Sequence, residues 1–269
     1  MAIYTSEALR KKFEEAVASF CLLDDVFMTV VFQDSLACVD LVIQIILGNP
    51  NLHATKVVTQ DTLKNLHGHS VRFDIHAIAD GQEFNIEIQR AESGATRRRA
   101  RYNSSIMDAA ALSEGEDYEL LPESYVIFIT ETDVLRRGQP IYHIERMIGE
   151  TAEPFDDGSH IIYVNSAVVN DSPLGRLMHD FRCKRAEEMH YDVLSERAAR
   201  FKNDMKGVEV IMRNQKWEEF LEAFKEYERD KDRVSSIKSI MEKLKLSAEK
   251  AMDALSIPES EWARYKAML

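Results

Sequence analysis

The clearest periodic stretch of the chain is Ser70–Arg90, SVRFDIHAIADGQEFNIEIQR, where polar and apolar residues alternate on either side of Asp80-Gly81. Period-two alternation predicts two half-buried strands, and Asp-Gly between them predicts a two-residue hairpin turn. Such a turn fixes the register, so that Ile75 faces Ile86, His76 faces Asn85 and Asp74 faces Glu87. Phe73, Ile75 and Ala77 then share an apolar face with Phe84, Ile86 and Ile88. The other face carries Arg72, Asp74 and His76 opposite Gln89, Glu87 and Asn85. Directly opposed Cβ atoms lie roughly 4.5–5.5 Å apart, which brings the Asp74 and Glu87 carboxylates together. Gln89 follows on the same face.

Other patterns place elements around this hairpin. Residues 5–20 read as a short amphipathic helix, and Asp24-Asp25 opens the hydrophobic segment VFMTVVF. In DSLACVDLVIQIILGNP, apolar residues recur at helical spacing from Leu36 to Leu47, and Gly48-Asn49-Pro50 stops the helix. Ala54–Thr59 suits a first strand and Gln60–Gly68 a loop. Thr96–Leu112 is expected to be helical, with Tyr102, Ile106 and Ala109-Ala110 on one side. SYVIFIT (Ser124–Thr130) is a short apolar strand suited to the middle of a sheet. IYHIERMI and HIIYVNSAV supply further strands around the 154–158 turn. From Pro173 the pattern is helical, and Ser247 and Pro258 begin two short helices about a tight turn. The expected domains are 1–201, a mixed central sheet flanked by helices (α/β, in the α+β sense), and 202–269, a helical extension with a helix-turn-helix-like end. Within it the charged run 225–233 suits a solvated helix surface or a hinge.

Composition narrows the class. At 269 residues and 45% hydrophobic, the chain can bury a good core with enough left for a second module. Cys21, Cys38 and Cys183 are odd in number and have no C-x-x-C pair, which points to reduced thiols in a cytoplasmic protein. No run approaches the length of a membrane span, so no membrane partner is expected. A net charge of −12 argues against a general nucleic-acid binder. One local basic cluster stands out nonetheless: Arg90, Arg97, Arg98, Arg99 and Arg101. His53, His67, His69 and His76 fit no zinc spacing and read as exposed or structural.

Facing carboxylates repel unless something positive holds them. Arg72 and water could do so on a solvated face. The fixed register and the aligned Gln89 favour a divalent cation, and Mg²⁺ takes one or two protein carboxylates by preference.

Asp, a hairpin turn, then Glu-x-Gln resembles the core of the PD-(D/E)XK nucleases, with Gln in the usual Lys place. The stretches VRFDIHA and FNIEIQR, followed by RRARYNSSIMD, resemble the Rpn-like branch, recombination-promoting nucleases and transposase-like proteins, with agreement from the N-terminal region to about Phe201. The resemblance implies a restriction-endonuclease-like fold and a DNA endonuclease using Mg²⁺ or Mn²⁺. It implies Asp74 and Glu87 as metal ligands, with Asp40 from the first core helix as a third, though Asp40 also suits that helix's wet edge. Gln89 would orient the attacking water. Arg99, Arg101 and Tyr102 would contact phosphate or support the acids, with packing an equal reading for Tyr102. DNA is the implied partner, and a homodimer stays open. Two other readings remain: a nuclease-fold protein that binds DNA or a protein partner without cutting, and a helical interaction protein, against which the hairpin argues.

Overall fold

The computed structural model describes residues 15, 17–64, 68–203 and 217–269. Most of the expected helix over residues 5–20 lies outside the described residues. The chain divides into two compact units, 1–212 and 213–269.

The first unit is built on a six-stranded mixed sheet in the order β1-β2-β3-β4-β8-β5. These strands are β1 (Ala54–Leu63), β2 (Val71–Ala79), β3 (Gln82–Gln89), β4 (Ser124–Thr130), β5 (Ile141–Ile144) and β8 (Ser159–Asn165). Two short strands, β6 (Met147–Ile148) and β7 (Glu153–Pro154), form a separate ribbon. β3, β4 and β8 run parallel, while β1–β2, β2–β3 and β5–β8 are antiparallel. SYVIFIT lies inside the sheet, bounded on both sides by parallel neighbours, which is why it reads as an unbroken apolar run.

Helices cover both faces. α1 (Asp25–Phe32), α2 (Leu36–Leu47), α4 (Pro173–Arg182) and α5 (Asp192–Asn203) bury Phe27, Val42, Phe181 and Leu194 on one side, against Ile75, Phe84, Ile127 and Val164. α3 (Arg97–Ala111) covers the other side, where Ala100 and Met107 meet Val126, Phe128 and Tyr163. This is a restriction-endonuclease-like α/β fold. No single helix among the described residues is long and apolar enough to cross a membrane.

The hairpin register follows the turn. Ile75 faces Ile86, His76 faces Asn85 and Ala79 faces Gln82. Asp80 and Gly81 both take positive φ, 47° and 81°, the type I′ geometry whose twist matches the strands.

Three local expectations change. β1 does not end at Thr59 but runs on to Leu63, with Gln60 at φ 56°. The β1–β2 ladder steps from Thr59–Ile75 to Asp61–Phe73 and skips the position of Gln60 and Asp74. Beyond that break the alternation changes sides. Ile75 and Ala77 join the core under α1 and α2, whereas Val71 and Phe73 join the one under α3, so Phe73 does not share a face with Ile75. On α3 the buried stripe is Ala100, Asn103, Ser104, Ile106 and Met107. Tyr102, Ala109 and Ala110 are exposed, because this helix turns small and polar residues toward the sheet.

In the second unit, α6 (Trp217–Leu244) carries the charged run 225–233 without a break, so that run is not a hinge. α7 (Ala248–Ala254), capped by Ser247 Oγ, and α8 (Glu259–Met268) pack around Ile237, Met252 and Tyr265. Arg264 and Tyr265 turn inward to the buried Asp230. That arrangement suits a packing element.

Because a Cβ at Gly81 meets no atom within 4 Å, Gly81→Ala isolates the backbone cost of a left-handed position. Urea unfolding should show a loss of about 1 kcal/mol with an unchanged m-value.

Candidate functional site

The site forms where β3 ends and the β1–β2 ladder breaks. Asp74 and Glu87 stand one position past the last ladder pair, Ile75–Ile86. There the Asp74 side chain takes over a backbone role: its Oδ2 accepts the Ile88 N–H at 3.0 Å. Glu87 has no exposed surface. Its Oε2 accepts from Arg99 Nη2 at 2.7 Å and from Gln89 Nε2 at 3.3 Å, and its Oε1 from Asn103 Nδ2 at 3.3 Å. Arg99 and Asn103 are four residues apart and so share one side of α3, whose first turn is set by Thr96 Oγ1 accepting the Arg99 N–H at 3.2 Å.

Burial, and then the negative charge of Asp74, push the Glu87 carboxyl from 4.5 up to about 7, opposed by Arg99 and by hydrogen bonds. The two acids therefore sense each other strongly. Above them opens a groove of about 440 Å³ lined in part by Asp25, Arg72, Asp74, Gln89, Arg99 and Tyr102.

Two sequence candidates do not reach this groove. Asp40 accepts the Ala54 N–H at 2.6 Å and faces His53 Nδ1 at 3.2 Å, which ties α2 to the start of β1. Ala54 pairs with Ala79, five residues from Asp74 along β2, or roughly 16 Å at ~3.3 Å per residue. Asp40 is thus a structural acid, satisfied by backbone. Arg101 is exposed and does not line the groove, since two residues from Arg99 a helix has turned by roughly 200°. Arg90 also leaves the basic cluster, donating to Cys21 Sγ and Asp24. Tyr102 lines the groove while its hydroxyl donates to the His69 carbonyl at 2.6 Å.

Asp25 and Gln60 belong to the site and were not singled out from the sequence. Gln60 Nε2 lies 3.1 Å from Asp25 Oδ1, 3.1 Å from Thr29 Oγ1 and 3.5 Å from Asp74 Oδ1. The Asp24-Asp25 pair ahead of an apolar run was the one signal available for Asp25, and Gln60 carried none. Gly94 is a third addition: a Cβ there would collide with Gln89 Oε1, so glycine leaves the room in which the Gln89 amide sits.

His76 is structural. Its Nδ1 meets Asp61 at 2.6 Å and its Nε2 meets Glu83 at 2.7 Å. Burial pulls its pKa down, and the two carboxylates outweigh that to raise it.

The donor set fits a hard divalent cation. All donors are oxygen, two are mutually repelling carboxylates, and Gln60 Oε1 is buried without a hydrogen-bond donor. Asp74 and Glu87 are the ligands such a cation would use, with Asp25 and Gln60 beside them.

Fold and site together define a nuclease-type α/β protein. Residues 42–173 match the family model of the PD-(D/E)XK nuclease family transposases, so over this segment the chain is similar to that family. No curated protein and no solved structure matches the chain.

A group whose pKa rises on folding stabilises the native state below its unfolded pKa and loses that contribution as pH rises through the folded value. For Glu87 the window runs from 4.5 to about 7. In cation-free buffer the thermal midpoint of the wild type should therefore fall relative to Glu87→Gln as pH rises across it. Parallel pH profiles for the two proteins would contradict the buried acid pair.

Proposed function

We propose that the protein is a divalent-metal-dependent DNA endonuclease of the recombination-promoting, transposase-like kind, using Mg²⁺ or Mn²⁺. One observation carries the reading: a wholly buried Glu87, raised to about 7 beside Asp74, backs a groove that also offers an amide and a guanidinium. Buried acids raised by desolvation and by a specific charge partner, set against a groove, cluster at functional sites.

A bound divalent cation supplies Lewis-acid polarisation of the scissile phosphate and neutralises charge developing on it. Asp74 and Glu87 would hold it, and its charge would favour the ionised form of Glu87. Gln89 orients the attacking water through its amide. That amide accepts no proton, so the proton leaves to the phosphate or to solvent. Arg99 sits at the boundary between Glu87 and the groove, with its side chain 37% exposed. From there its fork can exchange the carboxylate for a phosphate oxygen. Arg72 and Tyr102 extend the contact surface for the nucleic-acid backbone.

A second reading is binding without cleavage. Its support is the hydrogen bonding at Glu87, where Arg99, Asn103 and Gln89 already occupy both carboxylate oxygens. A site so satisfied needs no cation.

Nicking of supercoiled plasmid in Mg²⁺ or Mn²⁺ separates the two. On the endonuclease reading, Asp74→Asn and Glu87→Ala abolish nicking while the proteins stay folded. Gln89→Ala lowers the rate on the order of a hundredfold, the usual loss for one positioned polar group. Gln89→Lys keeps or raises it. Gly94→Ala should fall toward the Gln89→Ala rate, with little change in stability, because only the end of a flexible side chain is displaced. A wild type that binds cations yet never turns over supports the second reading. Equal rates for wild type and Gln89→Ala remove Gln89 from the chemistry.

A further inference from the structure

On the opposite face of the sheet from α3, the end of α4 meets the segment that leads into α5. We infer that His179, Asp180 and His190 there form a binding site for a first-row divalent transition cation, zinc foremost, separate from the acidic groove. Potential ligand atoms from the three side chains all lie within 4.8 Å of one another.

The Asp180 side chain has no exposed surface. Its Oδ1 accepts the His190 N–H at 2.8 Å and its Oδ2 the Tyr191 N–H at 2.9 Å. Among the described residues no Lys or Arg forms an ion pair with it, and His179 Nδ1 lies 3.2 Å from Oδ1. A buried carboxylate calls for a positive partner. The spacing suits a bridging cation: ligands held ~2.0–2.2 Å from a tetrahedral zinc stand roughly 3.3–3.6 Å apart, close to the His179–Asp180 separation.

The third ligand is already near. The imidazoles of His179 and His190 have centroids 4.6 Å apart at 60°, and His190 is exposed, so a small rotation of its ring brings a nitrogen into range. Two imidazoles and one carboxylate are a donor set for zinc rather than for magnesium, which takes oxygen. Three protein ligands leave a fourth position open to water. The backbone geometry is prepared as well, because Asp180 fixes residues 190 and 191 through their N–H groups before any cation arrives. A bound cation would clamp the end of α4 to the entry of α5.

The test uses the untagged full chain, stripped with chelator and titrated with Zn²⁺ against a chromogenic competitor, with Co²⁺ absorption as a second readout. One equivalent of Zn²⁺ should bind the wild type and also the Asp74→Asn/Glu87→Ala variant, which lacks the groove's acids. His190→Ala, at an exposed position, should fold normally and bind at least about tenfold more weakly. His179→Gln should do the same. Zn²⁺ should raise the thermal midpoint of the wild type and leave that of His190→Ala unmoved. Equal affinity in wild type and His190→Ala, or no binding to wild type, overturns the site. Loss of the equivalent in the groove variant with retention in His190→Ala overturns it too, by moving the cation to Asp74 and Glu87.

Discussion

Glu87 is a carboxylate with no exposed surface, set beside a second carboxylate, and the surrounding structure is arranged to tolerate it. A charge so placed costs several kcal/mol unless hydrogen-bonded and paired. The polar stripe of α3 answers that demand. Arg99 and Asn103 reach Glu87, and Ser104 meets Ser159 at 2.8 Å, at positions where a helix over an apolar sheet would carry Leu or Ile. The compensation is incomplete, and Glu87 stays near 7. On the proposed function, that residual electrostatic need is the one a bound cation would meet.

The break in the β1–β2 ladder is the second half of the same design. A strand pair in unbroken alternation would send residue 73 to the side of residue 75. At Gln60 the backbone instead takes φ 56°, the ladder skips one position, and the strands cross from one core to the other. Asp74 sits at the crossover, where its side chain rather than its backbone engages β3. Irregularities of this kind re-aim side chains beside active sites. Here one brings Asp25, Gln60 and Asp74 within reach of each other across three elements.

What was legible in the sequence follows from these two features. Asp80-Gly81 and period-two alternation made the register readable, and with it the opposition of Asp74 and Glu87. Both are local signals. The strand SYVIFIT and the α2 stop at Gly48, where φ is 65°, were readable for the same reason. Gln60 was not, because an exception to alternation has no composition of its own. Asp40 misled in an instructive way. An acid among apolar helical neighbours suggests function, yet it caps the start of β1 through the Ala54 N–H, a partner that no sequence pattern names. Arg101 misled through proximity in sequence, since helical rotation separates it from Arg99.

Charge completes the picture. Residues 213–269 carry twelve basic and twelve acidic side chains, so the whole net charge of −12 falls on residues 1–212. The groove thus lies in a unit whose long-range field repels a polyanion, and Arg72 and Arg99 are local exceptions within it. A phosphate approaching Arg99 competes with Glu87 for the same guanidinium, and it wins only when Glu87 has another positive partner. On the proposed function a divalent cation is that partner. Such a cation would let Arg99 turn toward the groove, which would tie substrate binding to cation binding through one side chain. On the proposed function, both the field of the unit and the Arg99–Glu87 pair would keep nucleic acid away until a cation binds.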